Sequence, residues 1–216
     1  MLQCARQQFL KEPQLEGVEP FVLMEMTLRN LSSEGGIAHE DFLARVDILR
    51  ELGQDVLISN YGRYFRLAEY LCRYTKKMIG IALGIPSFQE ITDEKHYTDL
   101  DGGTLEAAGR LFKSNVKLYV YPFRDPASGK VITVETMEVA PHLRHLYTHL
   151  LENHFVEGLQ ACNPDYLPIF AKDVLAKLQA GDGSWEEMVP PPIVRIIKDG
   201  KLFGWKPSSR THQKAH

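Results

Sequence analysis

Short apolar runs alternate with amphipathic stretches along much of this chain. "DVLIS" (55–59), "MIGIALGI" (78–85) and "VKLYVYPF" (116–123) are nearly unbroken apolar segments of strand length. Runs of this kind fit strands covered on both faces, as in a parallel sheet. Between them the period changes. In "HEDFLARVDILRELG" the residues Phe42, Val46 and Leu49 recur at helical spacing, and Gly53 is a natural stop. A second helix is expected from about Gly62 to Thr75. Tyr64, Leu67, Ala68, Leu71 and Cys72 share its apolar side, while Arg63, Arg66, Tyr70 and Arg73 fall opposite. "TLEAAGRLF" reads as a third helix.

Weaker signals fill the gaps. "FVLMEMTLRNL" fits either a strand or a short helix, and "SSEGG" breaks the chain after it. "EITDEKHYTDLDGG" is polar and irregular. "DPASGK" carries the residues of a tight turn between "LYVYPF" and "VITVETM", which predicts a hairpin. Beyond Pro141 the pattern is mostly helical, in "HLRHLYTHLLENHF", "YLPIFAKDVLAKLQAG" and "PPIVRIIKDGKLFGW". Trp185, Phe203 and Trp205 read as anchors that dock this C-terminal part, with an exposed aromatic patch as the competing reading.

Alternating strands and helices predict an α/β fold: a mostly parallel, doubly wound (Rossmann-like) sheet with a C-terminal helical segment. The expected organisation is a polar N-terminal extension over 1–20, an α/β core over 21–140, a helical segment over 141–205 packed on that core, and a disordered tail over 206–216.

Composition narrows the function classes. The 216 residues carry a formal net charge of −3, so no basic field favours nucleic acid. No run approaches the roughly 20 apolar residues that cross a bilayer, and "MLQCARQQFLKEPQ" lacks the apolar stretch of a signal peptide. A cytoplasmic protein without a membrane partner is the expectation. Cys4, Cys72 and Cys162 show no paired spacing and read as reduced thiols, Cys72 as a small buried hydrophobe.

Ligands of open α/β sheets bind beyond the carboxyl ends of the strands, which directs attention to Ser59 and Asn60 at the end of "DVLIS". Asn60 is placed to cap the next helix, and Arg63 falls in its first turn. A phosphate there would meet backbone N–H groups and a guanidinium. The plainer reading makes Asn60 only a cap and the arginines only a solvated face. Gly102, Gly103 and Thr104 precede another helix, where glycines allow close approach of a phosphate; a simple turn is the alternative. Asp99 and Asp101 could hold magnesium, or form turns. His142, His145 and His149 share one side of a helix, as a metal site or merely a polar flank. A haloacid-dehalogenase-like reading fails because "FVLMEMTLRN" carries no D-x-D nucleophile.

Four phrases, "LRELGQDVLISNYGRYFRLAEYL", "YTDLDGGTLEAAGRLF", "VITVETMEVAPHLRHLY" and "GDGSWEEMVPPPIVRIIKDGKLFGW", carry a family likeness over residues 21–205. The chain resembles a poorly characterised bacterial family whose members are variously named nicotinamide (or nicotinate) mononucleotide adenylyltransferase or TonB-dependent receptor. The receptor name implies an exported barrel of alternating strands, which this pattern does not contain. The adenylyltransferase name implies nucleotidyl transfer on an α/β sheet. Its H-x-G-H motif is absent from this sequence, so no catalytic residue carries over.

The expected function is therefore the binding of a phosphorylated small molecule, a nucleotide among the candidates, by Ser59, Asn60, Arg63, Gly102, Gly103 and Thr104. Magnesium would accompany a nucleotide, and nucleotidyl transfer is the reaction that the resemblance implies. The alternative is a non-catalytic interaction module or a partial relative of a longer protein.

Overall fold

In a computed structural model of the chain, residues 1–28 and 39–207 are described. Their helices are α1 (Leu2–Phe9), α2 (His39–Glu51), α3 (Tyr64–Leu71), α4 (Ile85–Thr92), α5 (Gly103–Phe112), α6 (Arg144–Glu152), α7 (Ala171–Ala180) and α8 (Pro191–Gly200). The strands are β1 (Leu23–Thr27), β2 (Asp55–Ser59), β3 (Ile79–Gly84), β4 (Val116–Tyr121), β5 (Phe123–Arg124), β6 (Val131–Ile132) and β7 (Val156–Gly158). "SSEGG" and the last nine residues lie outside the described residues.

The α/β expectation holds in its coarse form: a mixed fold, about half helical, with small parallel sheets. The single doubly wound sheet is corrected. The parallel strands fall into a pair, β1–β2, and a separate trio ordered β3–β4–β7. They belong to two compact units. The first comprises Met1–Phe21 and Tyr61–Pro168; the second comprises Val22–Asn60 and Ile169–His216, as far as these are described. This division also replaces the expected boundaries near residues 20 and 140. Segments distant in sequence pack together, which a linear shift in composition does not reveal.

In the second unit, helix α2 connects β1 to β2, which pair from Leu23↔Asp55 to Thr27↔Ser59. With two strands, each is an edge. The expectation that "DVLIS" is covered on both faces therefore fails, and Ile58 is left 44% exposed. Gly53 ends the turn after α2 in the left-handed region (φ +72°), as its type predicts. Trp185 is buried with Ile48, Leu178 and Ile197, and Phe203 and Trp205 pack against that cluster. These aromatic residues are core anchors of the second unit.

In the first unit, β4 is the central strand and its first five residues are buried. Alternation splits it between two faces. Val116, Leu118 and Val120 join the main core with Leu83, Phe65, Phe88, Leu111, Tyr147 and Val156. Tyr119 points the other way, into a smaller cluster with Ala5, Phe9 and Leu159. Phe9 lies over Gly80, where an added Cβ would come within 2.8 Å of the ring, so β3 needs a glycine there.

The first 20 residues are thus no loose extension, because α1 docks on the sheet. Lys117, buried in β4, donates from Nζ to Glu12 Oε1 at 2.5 Å and pairs with Glu157 Oε1 at 2.8 Å. The Tyr119 hydroxyl donates to the same Glu12 oxygen at 2.5 Å. Gln8 Nε2 donates to Glu157 Oε2 and to the Gly158 carbonyl, both at 3.2 Å.

Two elements depart from expectation. Helix α4 begins directly after β3, with Pro86 in its first turn rather than in a loop. The hairpin at "DPASGK" forms, but β5 and β6 pair only over two residues each.

Burial acts to lower the Lys117 ammonium's pKa, but its hydrogen bonds to Glu12 and Glu157 outweigh it and the net shift is upward. Burial likewise acts to raise the Glu157 carboxyl, and Lys117 and Gln8 together hold it below its ordinary value. A lowered carboxyl contributes stability above its unfolded pKa, and that stability is lost as pH falls through the folded value. A raised ammonium contributes below its unfolded pKa and loses the contribution as pH rises past the folded one. Their joint contribution is complete between roughly pH 4.3 and 10.4. Lys117→Met leaves two carboxylates facing each other without a cation. Urea unfolding at neutral pH should show a loss of about 3 kcal/mol, and the loss should shrink in acid as Glu157 protonates.

Candidate functional site

The residues expected to bind phosphate are divided between the units. Ser59 and Asn60 belong to the second; Arg63, Gly102, Gly103 and Thr104 belong to the first. Ser59 is buried at the end of β2, and its hydroxyl donates to Glu25 Oε1 at 2.5 Å. Asn60 does not cap α3. That position falls to Arg63, which has an extended backbone and makes no side-chain capping bond.

The Arg63 guanidinium is engaged. Its two terminal nitrogens donate to the two Asp99 oxygens at 3.0 and 2.6 Å, a bidentate pair, and the group lies 5.9 Å from the Tyr97 ring centre. The hydrogen bonds from Arg63 hold the Asp99 carboxyl below its ordinary range. Asp99 thus acts as the partner of an arginine.

Gly102 precedes α5, and Gly103 adopts a left-handed conformation (φ +54°). The Gly102 N–H donates to Glu106 Oε2 at 3.1 Å, while Arg110 donates to Glu106 Oε1 at 3.3 Å. The start of α5 is answered by its own carboxylate. Ser59, Arg63 and Gly102 therefore each face a carboxylate of the chain. A phosphate would have to displace Glu25, Asp99 or Glu106 in turn.

Thr104 leads elsewhere. Its hydroxyl oxygen is buried and has no hydrogen-bond partner. It lines a narrow cleft of about 30 Å³ inside the first unit. Helix α3 contributes Tyr64 and Phe65, α4 contributes Phe88 and Ile91, and α5 adds Ala107, Ala108 and Leu111. Leu146, Tyr147 and Leu150 of α6 close the wall. No charged side chain lines it.

The cleft has structural support. Glu69 of α3 accepts two bonds from Arg110 of α5, both 2.9 Å, and the Arg110 guanidinium lies 4.5 Å from the Phe65 ring centre. The Tyr147 hydroxyl donates to the Val134 carbonyl at 2.6 Å and that of Tyr97 to Ile91 at 2.8 Å. Burial raises both phenols, so they are neutral near pH 7 and spent on backbone acceptors. An uncharged wall with one unanswered hydroxyl suits binding better than bond-making.

The histidines do not converge on a metal. His142 Nε2 lies 2.7 Å from Glu94 Oε2, and His149 pairs with Asn153 at 3.1 Å. Among the described residues no group of three or more His, Cys, Asp or Glu is placed to hold one. No described helix is long and apolar enough to cross a membrane.

Sequence reasoning reached Thr104 but missed the cleft. Ile85, Phe88 and Ile91 recur every third residue, a helical signal that would have exposed α4 and its apolar side. Comparison with known protein families, curated proteins and solved structures finds no match.

Arg63→Ala should return the Asp99 carboxyl upward toward its ordinary pKa, as measured by NMR titration of its side chain. The accompanying stability change should be small, since the pair is solvated.

Proposed function

We propose that the first unit binds a small uncharged molecule, apolar but for one hydrogen-bonding group, in the cleft beside Thr104. The observation that carries this reading is a buried, unpartnered hydroxyl in an otherwise apolar and uncharged wall. Leaving such a group unsatisfied costs roughly 1–3 kcal/mol, which a ligand's polar group can recover while its apolar body covers the ring and aliphatic surfaces. A bound water would satisfy the hydroxyl without covering those surfaces. Charge decides against placing a phosphate inside, because an unpaired anion is strongly disfavoured where no cation lines the site.

The phosphorylated ligand expected from sequence belongs instead near Arg63 and Gly102, in competition with Asp99 and Glu106. Inorganic phosphate and ATP with magnesium therefore serve as the contrasting probes, alongside benzyl alcohol and toluene. Thermal unfolding and NMR titration of the whole chain should show saturable binding of benzyl alcohol. Toluene, lacking the hydroxyl, should bind about 3- to 10-fold more weakly. Thr104→Val should abolish that difference, and Ala108→Phe should block both. Binding of neither apolar probe by a cooperatively folded chain would overturn the proposal, and binding of phosphate lost in Arg63→Ala would restore the anion reading.

A further inference from the structure

The fold brings together two cysteines that lie far apart in the sequence. Cys4 sits on α1, and Cys162 follows β7. Both pack against the cluster formed by Ala5, Tyr119 and Leu159, and the Cys4 thiol lies close enough to help raise the Cys162 thiol. The Cys4 sulfur is also 4.0 Å from the carbonyl oxygen of Ala161, the residue before its partner. Cys162 Sγ points back to the Leu159 and Gln160 carbonyls at 3.6 and 3.7 Å. Cys72 packs against a different cluster and does not compete.

We propose that Cys4 and Cys162 form a dithiol site that a hydroperoxide converts into a disulfide, fastening α1 to the segment after β7. The backbone on both sides is already pinned without the thiols. One turn along α1, Gln8 bonds Glu157 and Gly158, and its Oε1 accepts from the Gln160 N–H at 2.9 Å. Ala161 is held in the left-handed region (φ +55°), which a non-glycine residue adopts at a cost. That strained turn sets its carbonyl against Cys4 and returns Cys162 toward α1.

The chemistry balances with the peroxide as oxidant. A Cys4 thiolate attacks one peroxide oxygen and becomes a sulfenic acid, and the other oxygen leaves as water after taking up a proton. Cys162 sulfur then displaces the sulfenic hydroxyl, which leaves as a second water once the Cys162 proton is taken up. The S–S bond forms, both sulfurs are oxidised, and the peroxide is reduced. Burial and the Cys4 thiol push the Cys162 thiol up to about 12, which disfavours Cys162 as the sulfur that meets the peroxide first.

The inference is independent of any ligand in the cleft. The test exposes the whole reduced chain to hydrogen peroxide, alkylates it under denaturing conditions, and maps peptides by mass. The expected result is loss of two of the three free thiols and one linked peptide pair containing residues 4 and 162. Cys72→Ser should behave alike, while Cys4→Ser and Cys162→Ser should each abolish the link. Closing so long a loop should raise the melting temperature by about 5 °C or more, reversibly on adding dithiothreitol. Three alkylatable thiols after treatment, over-oxidation of Cys4 without a link, or links through Cys72 or between chains would each overturn the proposal. A link that leaves the melting temperature unchanged would overturn the fastening of α1.

Discussion

Lys117 lies within a strand whose first five residues are buried, and its charge has to be answered from inside the fold. The answer comes from both ends of the chain's first unit: Glu12 from the N-terminal segment and Glu157 from β7. One ammonium therefore ties the segment after α1, β4 and β7 together. The opposite face of β4 imposes the complementary constraint. Val116, Leu118 and Val120 need apolar cover, and the helices that supply it leave the cleft between their side chains. A charged network on one side and an apolar core on the other make β4 the strand on which the first unit is organised.

Charge is distributed with the same logic around the cleft. Arg63 is paired with Asp99, and Arg110 with Glu69 and Glu106. These pairs lie on or beside the helices that build the wall, yet no charged side chain reaches the lining. Cations that a sequence reader assigns to an anionic ligand are used to hold helices and turns together. What the cleft offers is shape, apolar area and a single unpartnered hydroxyl, which selects by hydrophobic contact and by one directional bond.

Local patterns made part of this legible. The nearly unbroken apolar run "VKLYVYPF" marks β4, and four- and three-residue spacing marks α2. Gly53 signalled its turn. Helix α4 has no loop to announce it, because it follows β3 directly and carries Pro86 in its first turn, a position that tolerates proline well. Strand β7 is too short for any period to show. The six residues expected to bind phosphate are residue types at the end of a strand and the starts of helices. Whether their donors stand open depends on which carboxylates fold against them, and for Ser59 and Arg63 those come from more than thirty residues away.

The sequence by itself determined the α/β character, the positions of the main strands and helices, and the absence of any described helix fit to cross a bilayer. These follow from hydrophobic period and turn chemistry, which act over a few residues. Only the tertiary structure decided that the strands divide between two units, that Asp99 serves Arg63, and that Cys4 meets Cys162. Such pairings depend on how distant segments share buried surface, and a local pattern contains no record of its distant partner.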